Sequence, residues 1–65
     1  MERKLTLKAW RVNAGLSQTE LAEAVGRSDR TIQSWEKGET SPTAVDIAKI
    51  EKVLNLVWSR DVLVQ

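Results

Sequence analysis

The stretch QTELAEAVGRSDRTIQSWEK, residues 18–37, decides the fold. Its apolar residues form two sets, Leu21, Ala22 and Val25, then Ile32 and Trp35, spaced by about one helical turn. Such spacing puts each set on one side of a helix. Gly26 stands between the sets. Ser28 then sits where a helix N-cap belongs, and Asp29 follows in the first turn, where the helix dipole favours an anion. Two short helices joined by a tight glycine-containing turn are predicted, locked at a steep angle by their apolar faces. Upstream, Ser17 and Glu20 have capping-box spacing, with Leu16 in the staple position. Thr6 is expected to cap a first helix that buries Leu7, Trp10 and Ala14 and ends at Gly15. Downstream, Gly38 stops the third helix and Glu39-Thr40-Ser41 reads as a loop. Ser41 is expected to cap a fourth helix with Pro42 in its first position. Its stripe is Ile47, Ile50, Val53 and Leu54, and Asn55 ends it in a left-handed turn. Residues Ser59 to Val64 are too few to stand as an isolated helix, and are expected to form a fifth only through packing. The predicted architecture is all-α, a compact bundle of five short helices.

With 65 residues the chain is read as one domain, 1–65. It has no Cys and no His, so neither disulfides nor a zinc site can stabilise it, and no metal ligands are assigned. The same absence removes the usual proton-transfer and thiol chemistry, and no glycine-rich phosphate loop is present. No catalytic residues and no cofactors are assigned, and the chain is read as a non-enzyme. Its apolar runs fall far short of the roughly 20 residues that span a bilayer. Met1-Glu2-Arg3-Lys4 leads into an amphipathic segment and not into a signal-peptide core. No membrane association and a cytoplasmic location are therefore expected. Ten basic and nine acidic residues leave a net charge of only +1. For a nucleic-acid binder that balance is weak, so the placement of charge has to carry the reading.

The third helix supplies that placement. At 3.6 residues per turn, Ser28, Ile32, Trp35 and Glu36 face inward. Arg30, Ser34 and Lys37 centre the opposite face, flanked by Thr31 and Gln33. That face carries two cations, an amide and two hydroxyls, with no acid at its centre. Arg suits a bidentate contact to guanine and Gln suits adenine, although any solvated helix face is polar. Trp35 and Trp10 are read as core. Val57, Trp58, Val62, Leu63 and Val64 either cap the bundle, form a dimer or partner seam, or do both in part.

Gly15-Leu16-Ser17-Gln18, Glu20-Leu21-Ala22, Gly26, Ser28, Ile32, Trp35-Glu36, Gly38 and Pro42 together resemble the lambda-type repressor/Cro (XRE-like) helix-turn-helix family, in its single-domain phage-regulator form. The resemblance runs from about Leu7 to Leu56. It implies a sequence-specific DNA-binding transcriptional regulator with its helix-turn-helix at about 18–37 and a reading helix, starting near Asp29, in the major groove. It implies base reading by Ser28, Asp29, Arg30, Thr31, Gln33 and Ser34, and phosphate contacts from Ser17, Gln18, Arg27, Lys37 and Thr40. The implied partner is a double-stranded DNA operator, bound by a homodimer in a bacterial or phage-infected cell. Arg11 and Glu36 match positions that form an ion bridge between the first and reading helices. Two residues depart from the pattern. Asp29 repels phosphate, yet it can accept from cytosine, hold Arg30 or Gln18, or simply favour the helix start. Glu39 adds a second repulsion. The alternative reading is a protein-interaction module on the same fold, either an antirepressor or modulator bound to a partner repressor, or an antitoxin.

Overall fold

The computed structural model describes residues 4–63. Among these, five helices follow one another: α1 (Leu7–Asn13), α2 (Gln18–Val25), α3 (Asp29–Lys37), α4 (Ala44–Leu54) and α5 (Trp58–Asp61). The local signals of the first three act where the sequence places them. Thr6 Oγ1 accepts from Ala9 N at 3.2 Å and starts α1. Ser17 Oγ accepts from Glu20 N while Glu20 Oε1 accepts from Ser17 N, a complete capping box at the start of α2. Ser28 Oγ accepts from Thr31 N and starts α3. Gly26, at φ +73°, turns the chain from α2 toward α3. A side chain there would meet only the Lys49 ammonium, at an ordinary 3.9 Å. The demand for glycine thus comes from the left-handed backbone and not from crowding.

Leu7, Leu21, Ala22, Val25, Ile32, Trp35 and Ile50 make one buried cluster, against which Leu16, Leu54 and Trp58 pack. The cluster lies between α2, α3 and α4, with α1 closing over α3. Two expectations for α1 change. Ala14 is exposed because it caps the helix end, and the inward place is taken by Arg11, which is buried. Trp10 is half-buried at the edge, held by its indole N–H donating to Asp61 O at 2.8 Å.

The fourth helix starts later than expected. Thr43, not Ser41, is its N-cap, and Pro42 lies outside the helix. Thr43 Oγ1 accepts from Asp46 N, and Asp46 Oδ2 accepts from Thr43 N. Arg27, in the turn between α2 and α3, donates to both Asp46 oxygens at 3.0 and 2.9 Å. A carboxylate serving both a cap and an ion pair fixes the helix start better than the lone Ser41 hydroxyl. Of the expected stripe, Ile50 is buried, Ile47 and Leu54 are half-buried, and Val53 is exposed.

The fifth helix is one turn, Trp58–Asp61, and not the longer Ser59–Val64 element. Asp61 Oδ2 accepts from Val57 N and closes the turn. Leu5 N then donates to Asp61 O, and Leu63 N to Leu5 O, so the chain beyond α5 forms a parallel bridge with the segment before α1. Pairing with extended backbone stops the helix. It also puts Val62 inside the fold at 3% exposure, which removes it from any seam. Trp58 is half-buried on the core, Val57 and Leu63 remain exposed, and Val64 lies outside the described residues.

One polar cluster crosses this packing. Arg11 Nε donates to Glu36 Oε2 at 2.7 Å, with the two side chains only 9% and 5% exposed. Arg11 Nη1 donates to Leu16 O, and Gln18 Nε2 donates to Glu36 Oε1 at 3.0 Å. Removing one member of a buried pair strands the other, so Glu36→Ala is expected to cost about 3–5 kcal/mol. Chemical denaturation checks this: a loss below about 1 kcal/mol, the range of an exposed pair, would refute it. The Arg27 hydrogen bonds hold the Asp46 carboxyl at about 2, below its ordinary 3.8, against a desolvation that pushes it up. A carboxyl lowered by folding contributes stability above its unfolded value, and loses it as pH falls through the folded one. Thermal melts between pH 5 and pH 2 should show that loss, and Asp46→Asn should flatten the slope. Equal slopes for the two proteins would contradict this role for Asp46.

Candidate nucleic-acid interface

The third helix, α3, is held from behind and open in front. Ile32 and Trp35 anchor it in the core, and Glu36 ties it to Arg11 and Gln18. Arg30 and Lys37 are exposed, and neither side chain forms an ion pair with a described residue. Thr31, Gln33 and Ser34 are half-buried along the same helix. The outward face therefore carries two uncompensated cations on a helix whose angle is fixed by packing.

The other assigned residues are not all free to read bases. Ser28 Oγ lies 3.1 Å from Thr31 Oγ1 and accepts from Thr31 N, so both side chains are drawn into the cap at the start of α3. Asp29 is exposed and accepts from its neighbour's backbone, Arg30 N, at 2.9 Å. It holds the start of α3, and it does not bond the Arg30 guanidinium or Gln18. Ser34 Oγ donates to Glu39 Oε1 at 3.3 Å.

Of the residues assigned to phosphate, Lys37 ends α3 and Thr40 is exposed in the turn beyond it. Gln18 stands at the start of α2, with one amide proton directed to Glu36. Ser17 has its backbone N–H and its hydroxyl acceptor committed to the capping box, which leaves its hydroxyl proton. Arg27 is pulled toward α4. Two of its donors bind Asp46, and with 43% of the side chain exposed only the remaining edge can meet a phosphate. The sequence reading missed this because Thr43 and Asp46 lie far along the chain from Arg27.

It also missed Lys8. An open hollow on the surface is lined by Lys8, Gln18, Gln33, Glu36 and Lys37. Three helices thus bring two lysines and two amides around a carboxylate that Arg11 already neutralises. Net positive charge in a concave site favours a phosphate. The helical spacing of Lys8 from Arg11 marks it as a neighbour of the buried pair, but only the packing of α1 on α3 brings it to Lys37.

The helix-turn-helix family matches residues 7–57. A type II methyltransferase of Lactococcus lactis subsp. cremoris, M1.ScrFI, is 44% identical over 52 residues, 75% of this chain and 13% of that protein. A type II methyltransferase of Shigella sonnei, M.SsoII, is 42% identical over 48 residues, 69% of this chain and 13% of its own length. The chain thus spans about an eighth of the curated relatives it matches. No solved structure matches. The match to the family covers α1 through α4, including the helix pair, its glycine turn and the buried Arg11–Glu36 link. The chain belongs to the helix-turn-helix DNA-binding family of the XRE type.

Proposed function

We propose that residues 1–65 act as a sequence-specific, non-enzymatic DNA-binding unit that regulates transcription. In this reading α3 enters the major groove of a double-stranded operator while α2 crosses the backbone. The observation that carries it is the outward face of α3, where Arg30 and Lys37 stand exposed without ion-pair partners among the described residues, on a helix locked from behind. Arg30, Gln33 and Ser34 read base edges, whereas Gln18, Lys37, Thr40 and the hollow beside Lys8 take phosphates. The relatives add nothing specific to a repressor, because their names describe type II methyltransferases and this chain matches a small part of each. Methyl transfer is not part of the proposal. Binding as a homodimer in the cytoplasm of a bacterial or phage-infected cell belongs to the same reading. The second reading, docking on a partner repressor or a toxin, draws support from Val57 and Leu63, which stay 42% and 51% exposed.

A mobility-shift assay separates the two, using the promoter region beside the chain's own gene, with and without the neighbouring gene products. Salt-dependent, sequence-selective shifts support the first reading. Binding to a neighbouring protein with no DNA shift at low salt supports the second. Within the first, Arg30→Ala should cost about 1–3 kcal/mol on the preferred site and relax one base pair, while Lys37→Ala should weaken all sequences alike and lower the salt slope by about one. Equal losses on specific and random DNA would reduce Arg30 to a phosphate contact, and an unchanged slope would remove Lys37 from the interface.

A further inference from the structure

The turn that ends α3 folds back onto the reading face. Gly38, at φ +76°, lets Gly38 N bond Ser34 O, and Glu39 N then donates to the same carbonyl at 3.0 Å. These backbone bonds return Glu39 to the side of Ser34, where its carboxylate accepts the Ser34 hydroxyl proton at 3.3 Å. Glu39 is exposed, and the sequence alone makes it only an unwelcome charge near phosphate. A serine hydroxyl has one proton and two lone pairs, so it ordinarily donates or accepts as its partner requires. With its proton given to Glu39, Ser34 has only lone pairs left to offer.

We propose that Glu39 is a positioning residue for base recognition, fixing Ser34 as a hydrogen-bond acceptor so that its position selects a base bearing a major-groove amino group. Cytosine and adenine present such a donor, whereas guanine and thymine present acceptors there. A donor base completes a chain from the amino group to Ser34 Oγ to the Glu39 carboxylate. An acceptor base faces lone pairs, and a buried acceptor left unpaired is costly. The carboxylate also repels the phosphates of every sequence equally, which lowers affinity for all DNA and leaves the ratio between sites to the Ser34 contact. This inference rests on α3 reading the major groove.

The test is a set of operators carrying each of the four bases at the pair closest to Ser34, identified as the pair where Ser34→Ala changes the base preference. The parent should prefer cytosine or adenine on the contacted strand by about tenfold, within the usual range for one mismatched pair. Glu39→Ala frees the Ser34 proton, so the preference should fall to about twofold at that pair alone, while affinity for random DNA rises. In the Ser34→Ala background, Glu39→Ala should leave the base preference unchanged while random-DNA affinity still rises. That separation distinguishes an effect through Ser34 from simple loss of charge. Glu39→Ala with the parent's base preference intact would overturn the inference and leave the DNA-binding reading standing. So would a parent preference for guanine or thymine, or a Ser34→Ala chain whose preference matches the parent's at every pair. A parent that binds no DNA at low salt would overturn both.

Discussion

The buried contact between Arg11 and Glu36 sets the geometry on which the outward face of α3 depends. One carboxylate receives a guanidinium from α1 and an amide from the start of α2, and it belongs to α3. Three helices are therefore pinned at one point, and Arg11 also reaches back to the carbonyl of Leu16 at the entry to α2. The net stabilisation of such a pair over apolar packing is small, because both charges lose water. Its value is geometric. Ile32 and Trp35 hold α3 against the core by apolar contact, which is non-directional. The Arg11–Glu36 pair adds directional hydrogen bonds to the same helix that carries Arg30, Ser34 and Lys37.

A second pair does the same for the other end of the motif. Arg27 leaves the α2–α3 turn and grips Asp46, whose carboxylate also caps α4. The turn, the start of α3 and the start of α4 are thereby linked. Together the two pairs link all of α1 to α4 in a chain that has no cysteine to form a disulfide.

They also explain why the net charge is a poor guide to this surface. Many of the acids have structural duties: Glu36 and Asp46 in ion pairs, Glu20 in a capping box, Glu51 on Trp58 N, and Asp61 on Val57 N and Arg60. Their charge is directed to partners within the fold. Lys8, Arg30 and Lys37 have no such partners among the described residues, and they face outward from α1 and α3. A balance near zero over the whole chain thus coexists with cations on α1 and α3 that have no ion-pair partner among the described residues, beside the Glu39 carboxylate held at Ser34.

The sequence by itself determined the helix pair and its turn. Ser17, Glu20, Gly26, Ser28 and Gly38 act on backbone groups within a few residues of themselves, so their meaning does not depend on the rest of the fold. The apolar spacing of Leu21, Ala22, Val25, Ile32 and Trp35 was legible for the same reason. Only the tertiary structure decided the start of α4, where two local caps competed and Arg27 favoured the one built on Asp46. It alone brought Lys8 beside Lys37, and Glu39 onto Ser34. It likewise decided between the two roles left open for Val62, burying it in the fold by pairing the end of the described chain with Leu5. Short-range hydrogen bonds are written in neighbouring residues. Charge pairs and bridges between distant segments form only when packing brings them within reach, and no spacing rule along the chain encodes that.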